Sequence, residues 1–179
     1  MADFDAATAL AGAARGDQRA WDAIVGRYSN LVWAVARSFR LSGADAADVT
    51  QATWLRLVEH LGDVRDSARL GAWLATTARR EALRILRRSR RDIPTENIGL
   101  SEEYPSVPPE LHVLRTEQET LLWNAFQRLP ESCQRLLRVL LADPAPSYAE
   151  VGAALAMPIG SIGPTRARCL ASLRSMLVD

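Results

Sequence analysis

The chain of 179 residues has no lysine, few cysteines and histidines, and no long apolar run. Its hydrophobic stretches are shorter than the roughly 18 residues that a bilayer-spanning helix needs. The acidic N-terminus, MADFD, lacks the basic-then-apolar layout of a secretory signal. We therefore expect a protein that stays in the cytoplasm and does not enter a membrane.

The two cysteines and two histidines do not have the spacing of a metal site or a disulfide framework. We expect Cys133 and Cys169 to be small core hydrophobes. His60 and His112 have no evident catalytic partner, and no carboxylate pair, Ser/His/Asp set or phosphate-binding loop is recognisable. The expectation is a protein without a metal, without a cofactor and without enzymatic activity.

All 22 basic residues are arginine, and they are unevenly distributed. Seven lie within residues 79–91, whereas residues 92–111 hold five acids and no arginine. On a helix, one continuous face would contain Arg80, Arg84, Arg87, Arg88 and Arg91. The positive charges of such a stripe repel one another unless a polyanion binds them, so the stripe predicts a nucleic-acid contact. A merely solvated helix end would need fewer arginines.

Apolar residues recur at helical spacing in both halves of the chain, and no strand pattern is recognisable. The first half predicts helices over about 21–39 and 44–61, with Asp17 capping the first, and a third helix that starts near residue 67 and dissolves into the arginine run. The second half predicts helices over about 117–128, 132–141, 147–155 and 161–176, with Ser147 and Glu150 as a capping box. Residues 92–116 contain four prolines and no sustained periodicity. The predicted fold class is therefore all-α: two small helical domains, residues 1–91 and 117–179, joined by an extended acidic linker.

The five tryptophans divide into two groups. Four occupy apolar helical positions and are predicted to be core residues: Trp21, Trp33, Trp73 and Trp123. The fifth, Trp54, shares a helix face with Asp48 and Gln51. That face mixes acid, amide and aromatic groups, so Trp54 fits a binding patch as well as a core position.

The last two predicted helices form a helix-turn-helix pattern, with a glycine in the predicted turn. In this motif the N-terminal end of the second helix enters the major groove. Here that end reads SIGPTRAR, residues 161–168. Pro164 is tolerated in a first helical turn, and Arg166 and Arg168 can reach guanine edges or phosphates. The pattern alone fits an ordinary helical hairpin with solvated arginines equally well.

Three ordered segments, spread over nearly the whole chain, carry a more specific signal. They read DVTQATWL at residues 48–55, GAWLATTAR at residues 71–79, before the basic run, and SYAEVGAALAMPIGSI at residues 147–162. These segments resemble three motifs of bacterial RNA polymerase σ factors of the σ70 family, in its extracytoplasmic-function group: the polymerase-binding D-x-x-Q-x-x-[FW] segment, the "aWL…iAR" segment that precedes a basic run, and the "sy-x-EIA … g-x-p-x-G[ST]V" segment. Residues 166–168 and 173–174 fit the end of the third motif.

The resemblance implies a division of labour between two domains. Residues 1–91 are similar to σ2, which docks on the clamp helices of the polymerase β′ subunit and handles the −10 element as it melts. Residues 117–179 are similar to σ4, a helix-turn-helix domain that reads the −35 element and rests on the β flap. The linker would lie in the RNA exit path of the core enzyme. The implied function is promoter-specific transcription initiation with core RNA polymerase. The resemblance also allows an anti-σ factor as a further partner.

The resemblance also assigns residues to three surfaces. The core-polymerase surface comprises Asp48, Gln51, Trp54 and Leu55. The −10 surface comprises Trp73, Arg79, Arg80, Arg84, Arg87, Arg88 and Arg91. The −35 surface comprises Tyr148, Ser161, Ile162, Gly163, Thr165, Arg166 and Arg168. Many family members have Asn in place of Arg80 and Asp in place of Arg84, so the identity of the captured −10 base is not carried over.

A rival interpretation is a stand-alone helix-turn-helix regulator whose first half is a ligand-sensing helical module. It accounts for residues 147–174 but leaves the arginine face and the acidic linker unexplained. Co-purification with core polymerase would distinguish the two.

Overall fold

The computed structural model describes residues 4–64, 66–91 and 117–178, and the predicted linker lies outside these ranges. The described residues form eight α-helices and two short 3-10 turns, with no strand among them. The all-α prediction is confirmed. The helices are α1 (Ala6–Ala14), α2 (Gln18–Ser38), α3 (Gly43–His60), α4 (Leu70–Arg91), α5 (Glu117–Arg128), α6 (Glu131–Leu140), α7 (Tyr148–Leu155) and α8 (Ile159–Val178).

Side-chain caps fix where several helices begin. The Asp17 carboxylate accepts a hydrogen bond from the Arg19 amide at 2.9 Å, which starts α2. At α7, the Ser147 amide donates to Glu150 Oε2 at 2.6 Å and the Glu150 amide donates to Ser147 Oγ at 3.3 Å. Both predicted caps are confirmed. Helix α1, capped by Asp5, was not predicted, because its alanine-rich sequence shows no clear apolar stripe.

The turn between α7 and α8 differs from the predicted one. Helix α8 begins at Ile159, two residues early, so Gly160 lies inside the helix and Ala156 takes the left-handed conformation of the turn (φ 54°). Pro164 consequently lies in the second turn of α8 rather than the first. A proline there removes the amide that would bond to the Gly160 carbonyl.

The first half of the chain, α1–α4, is built around the apolar stripe of α2. That stripe packs against buried residues of α3 and α4, among them Val49, Leu57, Leu70 and Leu74, none of which has exposed surface. Trp33 does not belong to it: its side chain is 42% exposed. The core prediction for Trp33 is wrong, because a step of about 100° from buried Val32 turns its side chain away from the stripe.

The second half, α5–α8, packs against the first in this conformation. Helix α7 lies on α4, and α6 lies on α2. Residues of the second half therefore belong to the same hydrophobic cluster as the stripe of α2: Leu136, Val139, Val151, Ala154 and Ile162. The two helical groups predicted from the sequence share one core here.

A smaller hydrophobic cluster lies within the second half. It contains buried Leu129, Leu137 and Cys169, with partly buried residues of α5, α6 and α8 around them. In it Cys133 of α6 and Cys169 of α8 form a disulfide, with their Cα atoms 5.4 Å apart. The expectation that both cysteines act only as small hydrophobes is wrong. They are 36 residues apart in sequence, and only the packing of α6 on α8 brings them together.

In the described part of the chain, no helix combines the length and the apolar character needed to cross a membrane.

Candidate binding surfaces

An open groove of about 720 Å³ runs between α3 and α4. Its α3 wall contains the four residues predicted to bind polymerase: Asp48, Gln51, Trp54 and Leu55. Asp48, Gln51 and Leu55 are exposed, and Leu55 keeps 58% of its surface accessible. An apolar side chain that stays so exposed beside acid and amide groups is typical of a surface that another molecule covers.

Trp54 lines this groove and is partly buried. Its ring meets the ring of Trp21 edge-on, with centroids 6.0 Å apart, and packs against the main core. Trp54 therefore combines the two roles that the sequence left open: it packs against the core and it lines the groove.

The opposite wall of the groove belongs to the arginine-rich end of α4. Arg84 and Arg88 line it, together with Glu81 and Ile85. The structure thus joins the predicted polymerase surface and part of the predicted −10 surface into one continuous face. The sequence could not show this, because it depends on how α4 packs against α3.

The arginines of α4 differ in what they contact. Arg84 Nε lies 2.9 Å from Glu81 Oε2, and Arg56 of α3 approaches the same carboxylate at 3.9 Å. Arg80, Arg87 and Arg88 are exposed, whereas Arg79 is partly buried. The side chain of Arg91 lies outside the described residues. Of the predicted stripe, the four described side chains are all exposed on α4, and Arg84 among them is already paired with an acid.

Trp73 lines a pocket of about 200 Å³ near the start of α4. The imidazole of His60 is 6.3 Å from its ring, centroid to centroid, and the remaining lining residues are Asp63, Val64, Asp66 and Arg69. Sequence reasoning singled out Trp73 but not these neighbours. His60 ends α3, and the other neighbours belong to the 3-10 turns between α3 and α4 or to the residues that join them, whose course no periodicity predicts.

The helix-turn-helix consists of α7 and α8. Arg166 and Arg168 are exposed on α8, and Arg168 Nη2 donates to Thr165 Oγ1 at 3.3 Å. Tyr148, at the start of α7, is 39% exposed. Ser161 and Gly163 are partly buried. Ile162 has no exposed surface and packs in the main core, so its side chain does not face solvent in this conformation.

The two halves meet through polar contacts as well as through the core. Asn30 Nδ2 donates to the Asp143 carbonyl at 2.6 Å, and Arg40 Nη2 donates to Gln134 Oε1 at 3.3 Å. Glu150, only 7% exposed, lies over Gly71. This face between the halves holds groups that the sequence analysis did not select.

Tyr28 lies beside this Glu150 contact. Burial raises the pKa of the Tyr28 phenol above its usual value of 10.0, and the nearby Glu150 carboxylate raises it further. The Arg27 guanidinium, 5.2 Å above the ring, acts in the opposite direction.

The known proteins that this chain resembles are RNA polymerase σ factors. The profile of Sigma-70 region 2 matches residues 24–92. The "RNA polymerase sigma-H factor" of Pseudomonas aeruginosa is 27% identical over 157 residues, covering 83% of this chain and 81% of that protein. The "ECF RNA polymerase sigma-E factor" of Salmonella typhimurium is 25% identical over 157 residues, with the same coverage of 83% and 81%.

The fold is similar to that of CnrH, solved in complex with the cytosolic domain of CnrY. The TM-score is 0.60 at 24% identity, and the match covers 97% of each chain.

Proposed function

Because the chain belongs to the σ70 family of RNA polymerase σ factors, in its extracytoplasmic-function group, we propose that it binds core polymerase through the α3–α4 groove and selects promoters by reading −10 and −35 elements. Family membership implies a role in transcription initiation. The protein acts by binding, as a regulatory subunit and not as an enzyme. Its place of action is the cytoplasm, where polymerase and chromosome meet.

The observation that carries the proposal is the groove itself. Its α3 wall presents Trp54 and Leu55 beside Asp48 and Gln51, which suits a partner with both apolar and polar side chains. A partly packed tryptophan is a rigid anchor, and such residues dominate binding energy at protein interfaces. The proposed partner for this wall is the clamp-helix region of the β′ subunit, with the β flap as a second contact for α5–α8.

Replacement of Trp54 tests core binding. We expect Trp54→Ala to weaken binding to core polymerase by roughly 2 kcal/mol or more, as the loss of a central aromatic anchor does. Binding is measured by titrating dye-labelled protein with core polymerase, and circular dichroism checks the fold. Trp33→Ala is the control, because Trp33 is an exposed tryptophan that does not line the groove. Equal affinities of the two folded variants would refute the assignment.

For the −10 element we propose a shared role of the α4 arginines and the Trp73 pocket. Exposed Arg80, Arg87 and Arg88 contact phosphates, and the indole of Trp73 offers a stacking surface to an unpaired base. A pocket that joins an aromatic wall to His60, Asp66 and Arg69 also supplies hydrogen-bonding groups for a base edge. Arg84 acts mainly through its pairing with Glu81, and Arg79 and Arg91 complete the basic stretch.

For the −35 element we propose that α8 enters the major groove. Thr165, Arg166 and Arg168 supply the side chains that reach bases and phosphates, with Tyr148 and Ser161 at the edge of the contact. Gly163 permits close approach of the helix backbone. Ile162 supports the helix from its buried side and makes no direct DNA contact in the proposal.

Simultaneous reading of both elements requires the two halves to separate. Elements about 20–25 base pairs apart, at about 3.4 Å per pair, are roughly 70–85 Å apart. Residues 92–116 can span at most roughly 85 Å when fully extended. We propose that the packed conformation is the resting one, and that binding to polymerase opens the α4–α7 and α2–α6 contacts.

An anti-σ factor is the third proposed partner. CnrH, which has a similar fold, was solved with the cytosolic domain of another protein, CnrY. A protein that bound across both halves here would stabilise the packed conformation and withhold the groove from polymerase.

The helix-turn-helix regulator remains the second candidate function, because α7 and α8 would serve it equally well. It predicts no affinity for core polymerase. The Trp54 titration therefore also decides between the two functions.

A further inference from the structure

We propose that Cys133 and Cys169 are a reversible thiol–disulfide pair, oxidised by a hydroperoxide, and that their disulfide supports reading of the −35 element. The inference rests on the proposed function, since it assigns a regulation to the helix-turn-helix half of the same protein.

The pair ties the DNA-reading helix to its support. Cys169 belongs to α8 and follows Arg168 directly, one turn after Thr165. Cys133 belongs to the first turn of α6, the helix on which α8 packs. Cα atoms 5.4 Å apart lie within the range that a disulfide spans. The bond therefore fixes α8 on α6 close to the residues proposed to meet DNA.

The bond matters most when the halves are apart. Five of the ten buried hydrophobic residues described in the second half belong to the core shared with α1–α4: Leu136, Val139, Val151, Ala154 and Ile162. The second half's own cluster contains only three buried residues among those described: Leu129, Leu137 and Cys169. Separation removes the contacts of this shared core with α1–α4, and α8 is then held by its contacts with α5, α6 and α7 and by this small cluster. A covalent link between α6 and α8 then becomes a main constraint on the helix-turn-helix.

The two sulfurs are placed for sequential oxidation. Cys133 is partly exposed and lies in the first turn of α6, where the helix dipole favours a thiolate, whereas Cys169 is only 1% exposed. The Cys133 thiolate attacks the hydroperoxide and breaks its O–O bond, so that the sulfur becomes a sulfenic acid and an alkoxide leaves; the alkoxide takes up the proton that the Cys133 thiol released on ionising and departs as the alcohol. The Cys169 sulfur then attacks the Cys133 sulfur, and the released hydroxide takes the Cys169 proton to form water.

Reduction of the disulfide restores the two thiols. A dithiol reductant supplies two electrons and two protons, is itself oxidised to a disulfide, and restores both thiols. Where transcription takes place, thiols are normally kept reduced, and disulfides that form there are typically transient and redox-sensing. The reduced form is thus the basal one, and oxidation strengthens the helix-turn-helix.

The test compares reduced and peroxide-treated full-length protein in run-off transcription with core polymerase. Two templates are used: one that depends on its −35 element and one whose −35 element is scrambled. Alkylation followed by mass spectrometry verifies the thiol state. Cys133→Ala/Cys169→Ala is the redox-blind control, and affinity for core polymerase is measured in parallel, since the α3 groove does not contain the pair.

We expect oxidation to raise transcription from the −35-dependent template several-fold, to leave core binding unchanged, and to raise the melting temperature by about 10 °C. The double variant should stay at the reduced level under both conditions. Equal activity of the oxidised and reduced forms, or higher activity of the reduced form, would overturn the inference.

If neither form supports transcription or binds core polymerase, the proposed function fails and the thiol pair is judged on stability alone. A melting temperature that oxidation does not raise would then overturn it as well.

Discussion

Gly71→Ala tests the packing of the two halves with a single methyl group. Gly71 is the second residue of α4 and lies directly beneath the Glu150 side chain. A Cβ at this position would overlap Glu150 Oε1 and would come within 2.7 Å of Glu150 Cδ and 2.8 Å of Tyr28 Cε1. The new methyl group therefore has to displace either α7 or the Glu150 carboxylate.

Either displacement costs folding free energy. Forcing a methyl group into a well-packed site costs about 1–3 kcal/mol. Glu150 cannot simply swing away, because its carboxylate accepts a hydrogen bond from the Ser147 amide at 2.6 Å, and losing a buried partner costs about 1–3 kcal/mol. Replacing glycine with alanine in a helix stabilises the helix by at most about 1 kcal/mol. We expect a net destabilisation of about 2 kcal/mol.

The assay is urea denaturation followed by circular dichroism, with small-angle scattering to measure the separation of the halves. Gly26→Ala is the matched control: Gly26 lies inside α2, is exposed, and an added Cβ meets nothing within 4 Å. That variant should be stabilised by up to about 1 kcal/mol and keep its radius of gyration. Gly71→Ala should be less stable and more extended. If both variants are stabilised alike, the α4–α7 packing described above is refuted.

Three further predictions address DNA reading and pH. Arg88→Ala should lower open-complex formation on all promoters alike and flatten the salt dependence, whereas Arg166→Ala should cost about 1–3 kcal/mol only where it meets a base; identical profiles across a −35 mutant series would contradict this division. Transcription should fall steeply when the spacer between the elements changes by about two or three base pairs, since each pair also rotates one element about the duplex; a flat response in a spacer-length series would favour the single-site regulator. Folding favours the neutral form of the Tyr28 phenol, because the pKa of this phenol in the folded state is raised above 10.0. The stabilisation is therefore fully present below about pH 10 and is lost as the pH rises towards the folded-state pKa. Urea titrations between about pH 8 and 11 should show this loss in the wild type and a weaker one in Tyr28→Phe; equal slopes would contradict it.

What the sequence predicted well was local. Helix positions follow from apolar spacing, and the Asp17 and Ser147 caps follow from residue type at a helix start. The helix-turn-helix was found because α7 and α8 are adjacent in the chain. Asp48, Gln51 and Trp54 were placed on one face because α3 is regular, and the structure keeps them together.

What the sequence did not predict depends on long-range packing. Nothing in the order of residues indicates that Glu150 lies over Gly71, or that Cys133 meets Cys169. The turn before α8 was misplaced for a different reason: alanine rarely adopts a positive φ, yet Ala156 does so here, and a glycine nearby was the obvious candidate. Ile162 was assigned to the −35 surface by the family resemblance, whereas its side chain has no exposed surface and packs in the main core.

Helix α7 carries a consequence for local stability. With eight residues it is too short to persist by itself in water, and it is held by burying Val151 and Ala154 in the shared core. In the packed conformation its amide hydrogens should exchange as slowly as those of α4, because both helices open only with the whole core. Once the halves part, α7 keeps only its contacts with α6 and α8, and its amides should exchange sooner than those of α4. Hydrogen exchange of α7 therefore reports, amide by amide, how often the resting protein opens.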